Sequence, residues 1–188
     1  MGVLSEQTLL DFSETGLLSH ARGFEFRPEQ QQMAVAVAET LEGESSLLAE
    51  AGTGVGKSLA YLIPAIRFAL ENGRKAVIST HTINLQEQLF HKDIPTVARA
   101  LNCHFDAALL KGRANYLCRT RLRRALEQAD DLFNQAETKQ LYDLLAWSKD
   151  CGEGSLAELP HELNISPKVW AQVCSENHVC TPRNCGYD

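Results

Sequence analysis

The sequence predicts an α/β fold, a parallel sheet covered by helices, with a helical, cysteine-bearing segment toward the C-terminus. Three observations predict it. Short apolar segments alternate with helical patterns between Arg27 and Leu110, and such alternation implies parallel strands with helices on both faces. A glycine-rich run, Ala51-Gly52-Thr53-Gly54-Val55-Gly56-Lys57-Ser58, joins the first of those strands to an apolar helix. After Leu110 strand signals stop, and Cys174, Cys180 and Cys185 fall within twelve residues near the end of the chain.

The elements follow in order. The opening to about Phe26 reads as irregular, with a short helix from Glu6 to Phe12. Arg27-Pro28-Glu29-Gln30 starts a helix that runs to Leu41, because proline in a first turn gives up only an N–H that has no helical partner there. Ser46–Ala49 is a short buried strand leading into the glycine-rich run, and Leu59–Leu70 is the apolar helix leaving it. Asn72-Gly73 stops that helix, and Lys75–Ser79 forms a second strand. Helical periodicity returns over Leu85–Phe90 and Pro95–Leu101, and Ala107–Leu110 forms a third strand. Tyr116–Ala129 and Glu137–Lys149 read as helices, the second presenting Leu141, Leu144, Leu145 and Ser148 on one face. Gly152–Pro160 is a loop and Pro167–Val173 a short helix. The organisation is a lead-in over 1–25, a nucleotide-binding segment over 26–110 and a cysteine-bearing segment over 111–188.

With 188 residues, 44% hydrophobic and 22% charged, the chain can bury a sizeable core. Met1–Asp11 holds Glu6 and Asp11, no basic residue and no apolar stretch of signal-peptide length. The longest apolar stretch, Leu59–Leu70, is broken by Arg67 and falls short of the roughly 20 residues that span a bilayer. The expectation is a cytoplasmic chain with no membrane partner. Eighteen Lys and Arg against 24 Asp and Glu argue against indiscriminate binding to nucleic acid. Lys111, Arg113, Arg119, Arg121, Arg123 and Arg124 nevertheless form a basic stretch with no acid among them, either a phosphate-binding surface or a solvated helix face. Six cysteines in an unexported chain point to metal or redox chemistry rather than disulfides. Cys103 reads as a buried core residue, Cys151 as a loop thiol, and the C-terminal group as a ligand loop.

The run Ala51–Ser58 fits the phosphate-binding P-loop pattern. Gly52, Gly54 and Gly56 let backbone N–H groups turn inward on a phosphate, Lys57 adds a full positive charge, and Ser58 offers a hydroxyl to Mg²⁺. The helix that follows points its positive end at the same place. A chance glycine turn has no reason to carry Lys and Ser directly after its last glycine.

Three further strings accompany this loop: Phe26-Arg-Pro-Glu-Gln-Gln31, Ile78-Ser-Thr-His-Thr-Ile-Asn-Leu-Gln-Glu-Gln-Leu89, and Leu110-Lys-Gly-Arg-Ala-Asn-Tyr-Leu-Cys118. Together they resemble the bacterial DinG-type DNA helicases, relatives of the XPD iron–sulfur helicases of superfamily 2, and within them the YoaA-like branch. The resemblance runs from about Phe24 to the end of the chain. It implies a partial RecA-like P-loop domain with a helical iron–sulfur insertion, using ATP, Mg²⁺ and a [4Fe–4S] cluster on single-stranded or forked DNA. Lys57 and Ser58 are then the catalytic residues, Gln30 reads the adenine edge, and Thr80, Thr82 and Gln86 touch the DNA backbone. Arg119, Arg121, Arg123 and Arg124 are available for phosphates, and Tyr116 for stacking on a base or for packing. Cys118, Cys180 and Cys185 are the implied cluster ligands; in the family's C-x4-C-x5-C pattern the next cysteine falls just beyond Asp188. Cys174 stands as an alternative fourth thiolate, and four cysteines can equally hold zinc.

The family's D-E-A-H strand, which holds Mg²⁺ and orients the attacking water, does not occur in the sequence; Asp130-Asp131 is the nearest acidic pair. The expectation is therefore the N-terminal fragment of a longer helicase, binding nucleotide weakly and not turning it over. The rival readings are a non-hydrolysing nucleotide- or DNA-binding module and a P-loop enzyme such as a kinase with a zinc-binding loop.

Overall fold

A helix closes its own backbone hydrogen bonds, whereas a strand needs a neighbour, and this difference governs what forms. The computed structural model describes residues 2–20, 25–177 and 179–181. They fall into two compact units, Met1–Leu109 and Leu110–Asp188. Cys185 lies outside the described residues.

In the first unit, helix α1 (Val3–Asp11) packs against α2 (Pro28–Glu42) and α3 (Lys57–Asn72). The opening of the chain is thus more ordered than the sequence suggests. Leu4, Thr8 and Asp11 are buried, as is Phe12, which joins a core built on Leu62 and Ile63. Full burial of such a side chain stabilises by about 1.5–3 kcal/mol. Glu42, at the end of α2, accepts the Leu4 N–H at 2.7 Å and so caps the start of α1 across 38 residues. Gly73 ends α3 in the left-handed region (φ 60°), as the Asn72-Gly73 signal requires.

Helix α4 (Ile83–Gln88) runs through a π-helical turn (Leu89–Asp93) into α5 (Ile94–Leu101). Pro95 explains the wide turn. Proline cannot donate to the carbonyl one turn back and its ring presses on that carbonyl, so a π turn makes room without breaking the axis.

The strand expectation fares differently. Residues 46–49, 75–79 and 107–110 form no ladder; the isolated bridges among the described residues are Tyr116–Ser155 and Leu117–Cys174. Apolar side chains in these extended segments are left in water, Leu48 at 100%, Val77 at 91% and Leu110 at 81% exposure. A segment without a partner strand on either side has nothing to close its backbone bonds or cover its side chains.

The second unit packs α6 (Arg119–Glu127), α7 (Ala129–Leu132), α8 (Gln135–Asp150) and α9 (Pro167–Val173) around Leu122, Leu141, Leu144, Val169 and Val173. The helix expected over Tyr116–Ala129 begins only after Cys118, because Tyr116 and Leu117 are extended and pair with Ser155 and Cys174. On α8, Leu141, Leu144 and Ser148 face inward as expected, but Leu145 is 37% exposed. Asn134 caps α8 by accepting the Glu137 N–H at 2.9 Å, and Glu137 returns the bond at 3.0 Å. The Lys168 ammonium, then the Asn134 N–H, hold the Glu137 carboxyl below its usual range. Cys103 and Cys151 are both half-buried, so Cys103 is not the core residue expected.

Among the described residues one buried side-chain group is unmatched: the Thr8 hydroxyl is fully enclosed and has no hydrogen-bond partner. Thr8→Val keeps the shape and removes the orphan. The expected result is a gain of about 1 kcal/mol in urea unfolding; a loss of stability would show that the hydroxyl is bonded after all.

Candidate functional site

The glycine-rich run is a turn set on the N-terminus of α3. Its glycines do different work: Gly54 (φ 84°) and Gly56 (φ 85°) occupy the left-handed region that only glycine enters cheaply, whereas Gly52 does not. A Cβ at Gly56 would lie 2.2 Å from Gln30 Nε2, while one at Gly52 or Gly54 would meet nothing within 4 Å. Gly56 is therefore required both by its backbone angle and by its neighbour.

That neighbour is Gln30, in the first turn of α2. Its Nε2 donates to the Gly56 carbonyl at 2.8 Å, and the side chain is 4% exposed. Arg27, the extended residue just before α2, donates to the Gly54 carbonyl and pairs with Glu25 at 2.9 Å. The start of α2 thus braces the loop at two of its carbonyls. Lys57 Nζ donates to the Ala51 carbonyl at 2.7 Å and to Gly52 at 2.8 Å. A phosphate entering the loop has to draw the ammonium from these carbonyls. Ser58 lies on the first turn of α3, near Tyr61; burial pushes that phenol up, against the opposing pull of the Ser58 side chain, and the charge of Asp93 adds to the rise. Thr53 and Val55 lie in the turn itself.

Thr80, Thr82 and Gln86 lie at the start of α4. Thr82 caps the helix by accepting the Leu85 N–H at 3.3 Å, and Thr80 donates to the Thr82 carbonyl at 3.1 Å. Thr82 thus has a local structural role.

In the second unit, residues 116–118 run antiparallel to 173–175: the Cys118 N–H donates to the Val173 carbonyl at 2.8 Å and the Ser175 N–H to Tyr116 at 2.7 Å. This brings Cys118 beside the segment bearing Cys174. Both are buried thiols, as is Cys180. The Glu176 N–H points at Cys180 Sγ at 3.3 Å. Burial pushes the Cys174 thiol up, against the opposing pull of Arg121. Among the described residues no three His, Cys, Asp or Glu side chains converge closely enough to hold a metal ion.

The basic stretch divides into two kinds of arginine. Arg113 donates to the Cys180 carbonyl at 3.1 Å, Arg119 to Ser148 at 2.7 Å, and Arg121 to Cys174 at 2.8 Å and Ala171 at 3.1 Å. Arg119 and Arg121 therefore satisfy carbonyls at the C-terminal ends of α8 and α9. Arg123 and Arg124 face solvent. Sequence patterning could not divide Arg119 and Arg121 from Arg123 and Arg124, since these four lie on one short helix.

A glycine-rich turn braced from behind, closing on a helix that begins with Lys and Ser, has the sequence pattern and turn-to-helix form of a P-loop. The chain belongs to the DEAD/DEAH box helicase family, whose sequence profile matches residues 27–133. It is 41% identical over 175 residues to the ATP-dependent DNA helicase YoaA of Haemophilus influenzae, covering 93% of this chain and 26% of that protein. It is 40% identical over 176 residues to the YoaA of Escherichia coli, covering 93% of this chain and 27% of that protein. The ATP-dependent DNA helicase DinG of Photobacterium profundum is 37% identical over 168 residues, covering 82% of this chain and 24% of that protein. The chain thus spans about a quarter of the length of the curated relatives it matches. The DinG-type resemblance read from the sequence stands. No helix among the described residues is long and apolar enough to cross a membrane.

Proposed function

We propose that this chain is the nucleotide-binding front of an ATP-dependent DNA helicase of the DinG and XPD type. ATP sits with its phosphates on Ala51–Ser58, Mg²⁺ on Ser58, and the adenine near Gln30. Hydrolysis in the whole protein drives movement along single-stranded DNA and parting of forked duplex. The observation that carries this reading is the loop itself: two left-handed glycines, Gln30 and Arg27 behind it, and Lys57 resting on the two carbonyls that a phosphate would replace.

An iron–sulfur cluster is part of the proposal, held by Cys118, Cys180 and Cys185 with a fourth thiolate from Cys174 or another cysteine of the protein. The donor type suits such a cluster, since Cys118, Cys174 and Cys180 of one unit offer soft, buried thiols, but among the described residues these thiols do not converge closely enough to hold a metal ion. When bound, such a cluster supplies a rigid cross-link. The organisation that goes with it is a nucleotide-binding segment over 26–110 and a cluster-bearing segment over 111–188, in a cytoplasmic protein.

The test is titration of the chain with a fluorescent ATP analogue and Mg²⁺, beside the Lys57→Ala variant. The expected result is weak saturable binding that falls roughly tenfold or more in the variant, the loss of one charge-assisted phosphate contact. Equal binding by both proteins would overturn the site. ATP turnover stimulated by single-stranded DNA in this chain would overturn the reading that these residues bind nucleotide without hydrolysing it.

A further inference from the structure

Arg121 lies three residues beyond Cys118, one turn up the same face of α6. Its guanidinium is only 15% exposed and makes three contacts with the segment that follows α9 or ends it. Nη1 reaches the Cys174 carbonyl at 2.8 Å and Glu176 Oε2 at 2.8 Å, and Nη2 reaches the Ala171 carbonyl at 3.1 Å. Glu176 in turn grips Cys180 twice through its backbone: its carbonyl accepts the Cys180 N–H at 3.1 Å, and its N–H donates to Cys180 Sγ at 3.3 Å. A single side chain thus fixes the carbonyl of one cysteine and the residue that holds the sulfur of another. The planar fork of arginine suits this task, since one compact ammonium cannot serve three acceptors set at different angles.

We propose that Arg121 is a positioning residue for the cysteine turn: through Glu176 it fixes the Cys180 sulfur in place before any metal is bound. The turn is therefore built by the protein and not by its ligand. Of the arginines in the basic stretch, Arg121 then acts inward on the thiols, while Arg123 and Arg124 remain on the surface. The inference rests on the iron–sulfur reading only in naming the metal; the protection of the thiol belongs to the metal-free chain.

The experiment is alkylation of the anaerobic, metal-free protein with iodoacetamide, followed cysteine by cysteine by mass spectrometry. The variants are Arg121→Ala, Arg121→Lys and Glu176→Gln, with Arg123→Ala as control. In Arg121→Ala, Cys180 is expected to react roughly tenfold faster, with Cys103 and Cys151 unchanged and the helical circular dichroism retained. Arg121→Lys is expected to restore part of the protection, Glu176→Gln to lose part of it, and Arg123→Ala to match the parent chain. An unchanged Cys180 rate in Arg121→Ala overturns the inference. So does acceleration of every cysteine together in both Arg121 variants, which would make the residue a general support of the fold. Reconstitution with ferrous iron and sulfide, read by charge-transfer absorbance, separates the two proposals. Failure of the unsubstituted chain to gain the absorbance rules out a cluster held by Cys118, Cys174, Cys180 and Cys185 alone and leaves the alkylation result to decide on Arg121.

Discussion

Arg67→Ala is expected to destabilise the first unit by about 3–5 kcal/mol. Arg67 of α3 holds Asp11 of α1 with two contacts, Nε to Oδ2 at 2.8 Å and Nη2 to Oδ1 at 3.1 Å. The Asp11 side chain is 3% exposed and that of Arg67 24%. Removing the arginine leaves a buried carboxylate that still accepts from Gln7 Nε2 at 3.1 Å but has lost its counter-charge, and an uncompensated buried charge is among the costliest defects a core can hold. Asp11→Ala should cost less, because the Arg67 side chain, a quarter exposed, can turn its guanidinium to water. Replacing both, Asp11→Leu with Arg67→Met, should recover most of the loss, since an apolar pair of similar volume carries no desolvation cost. Urea unfolding of the three proteins checks the order. A single Arg67→Ala loss under about 1 kcal/mol would place the pair with ordinary surface bridges.

Gly56→Ala is expected to disable the glycine-rich loop, with a loss of about 2–5 kcal/mol in the stability of the loop region. An alanine in the left-handed region costs about 1–2 kcal/mol. The rest comes from Gln30, whose Nε2 stands 2.2 Å from where the new Cβ would lie. To yield, Gln30 must leave the Gly56 carbonyl, and an unmatched buried amide costs about 1–3 kcal/mol. Nucleotide binding should fall roughly tenfold or more, since the N–H groups of the turn no longer converge. Gly54→Ala should show the angular strain alone, and Gly52→Ala should be nearly silent, because neither position has a neighbour within 4 Å. Gln30→Ala added to Gly56→Ala relieves the clash and leaves the strain. Calorimetric titration of the series with an ATP analogue checks the ranking, and equal losses at all three glycines would refute it.

Local chemistry was legible in the sequence. The P-loop run, the proline that opens α2, the Gly73 stop and the helices over Gln135–Asp150 and Pro167–Val173 all appear where short-range signals put them. These signals act within a few residues: a cap, a fixed φ, a positive φ or a 3.6-residue period. The family was legible too, because its strings are contiguous. What contiguity does not carry was decided by tertiary structure. Sheet pairing is one such feature, since a strand is completed by a neighbour elsewhere, and residues 46–49, 75–79 and 107–110 find none among the described residues. The division of the arginines is another: Arg119 and Arg121 differ from Arg123 and Arg124 only in which helix ends lie opposite them. The use of Gln30 against Gly56 and of Asp11 against Arg67 joins positions 26 and 56 residues apart. A sequence specifies such pairs only through the packing of α1 and α2 on α3, where burial makes each unmatched polar group expensive.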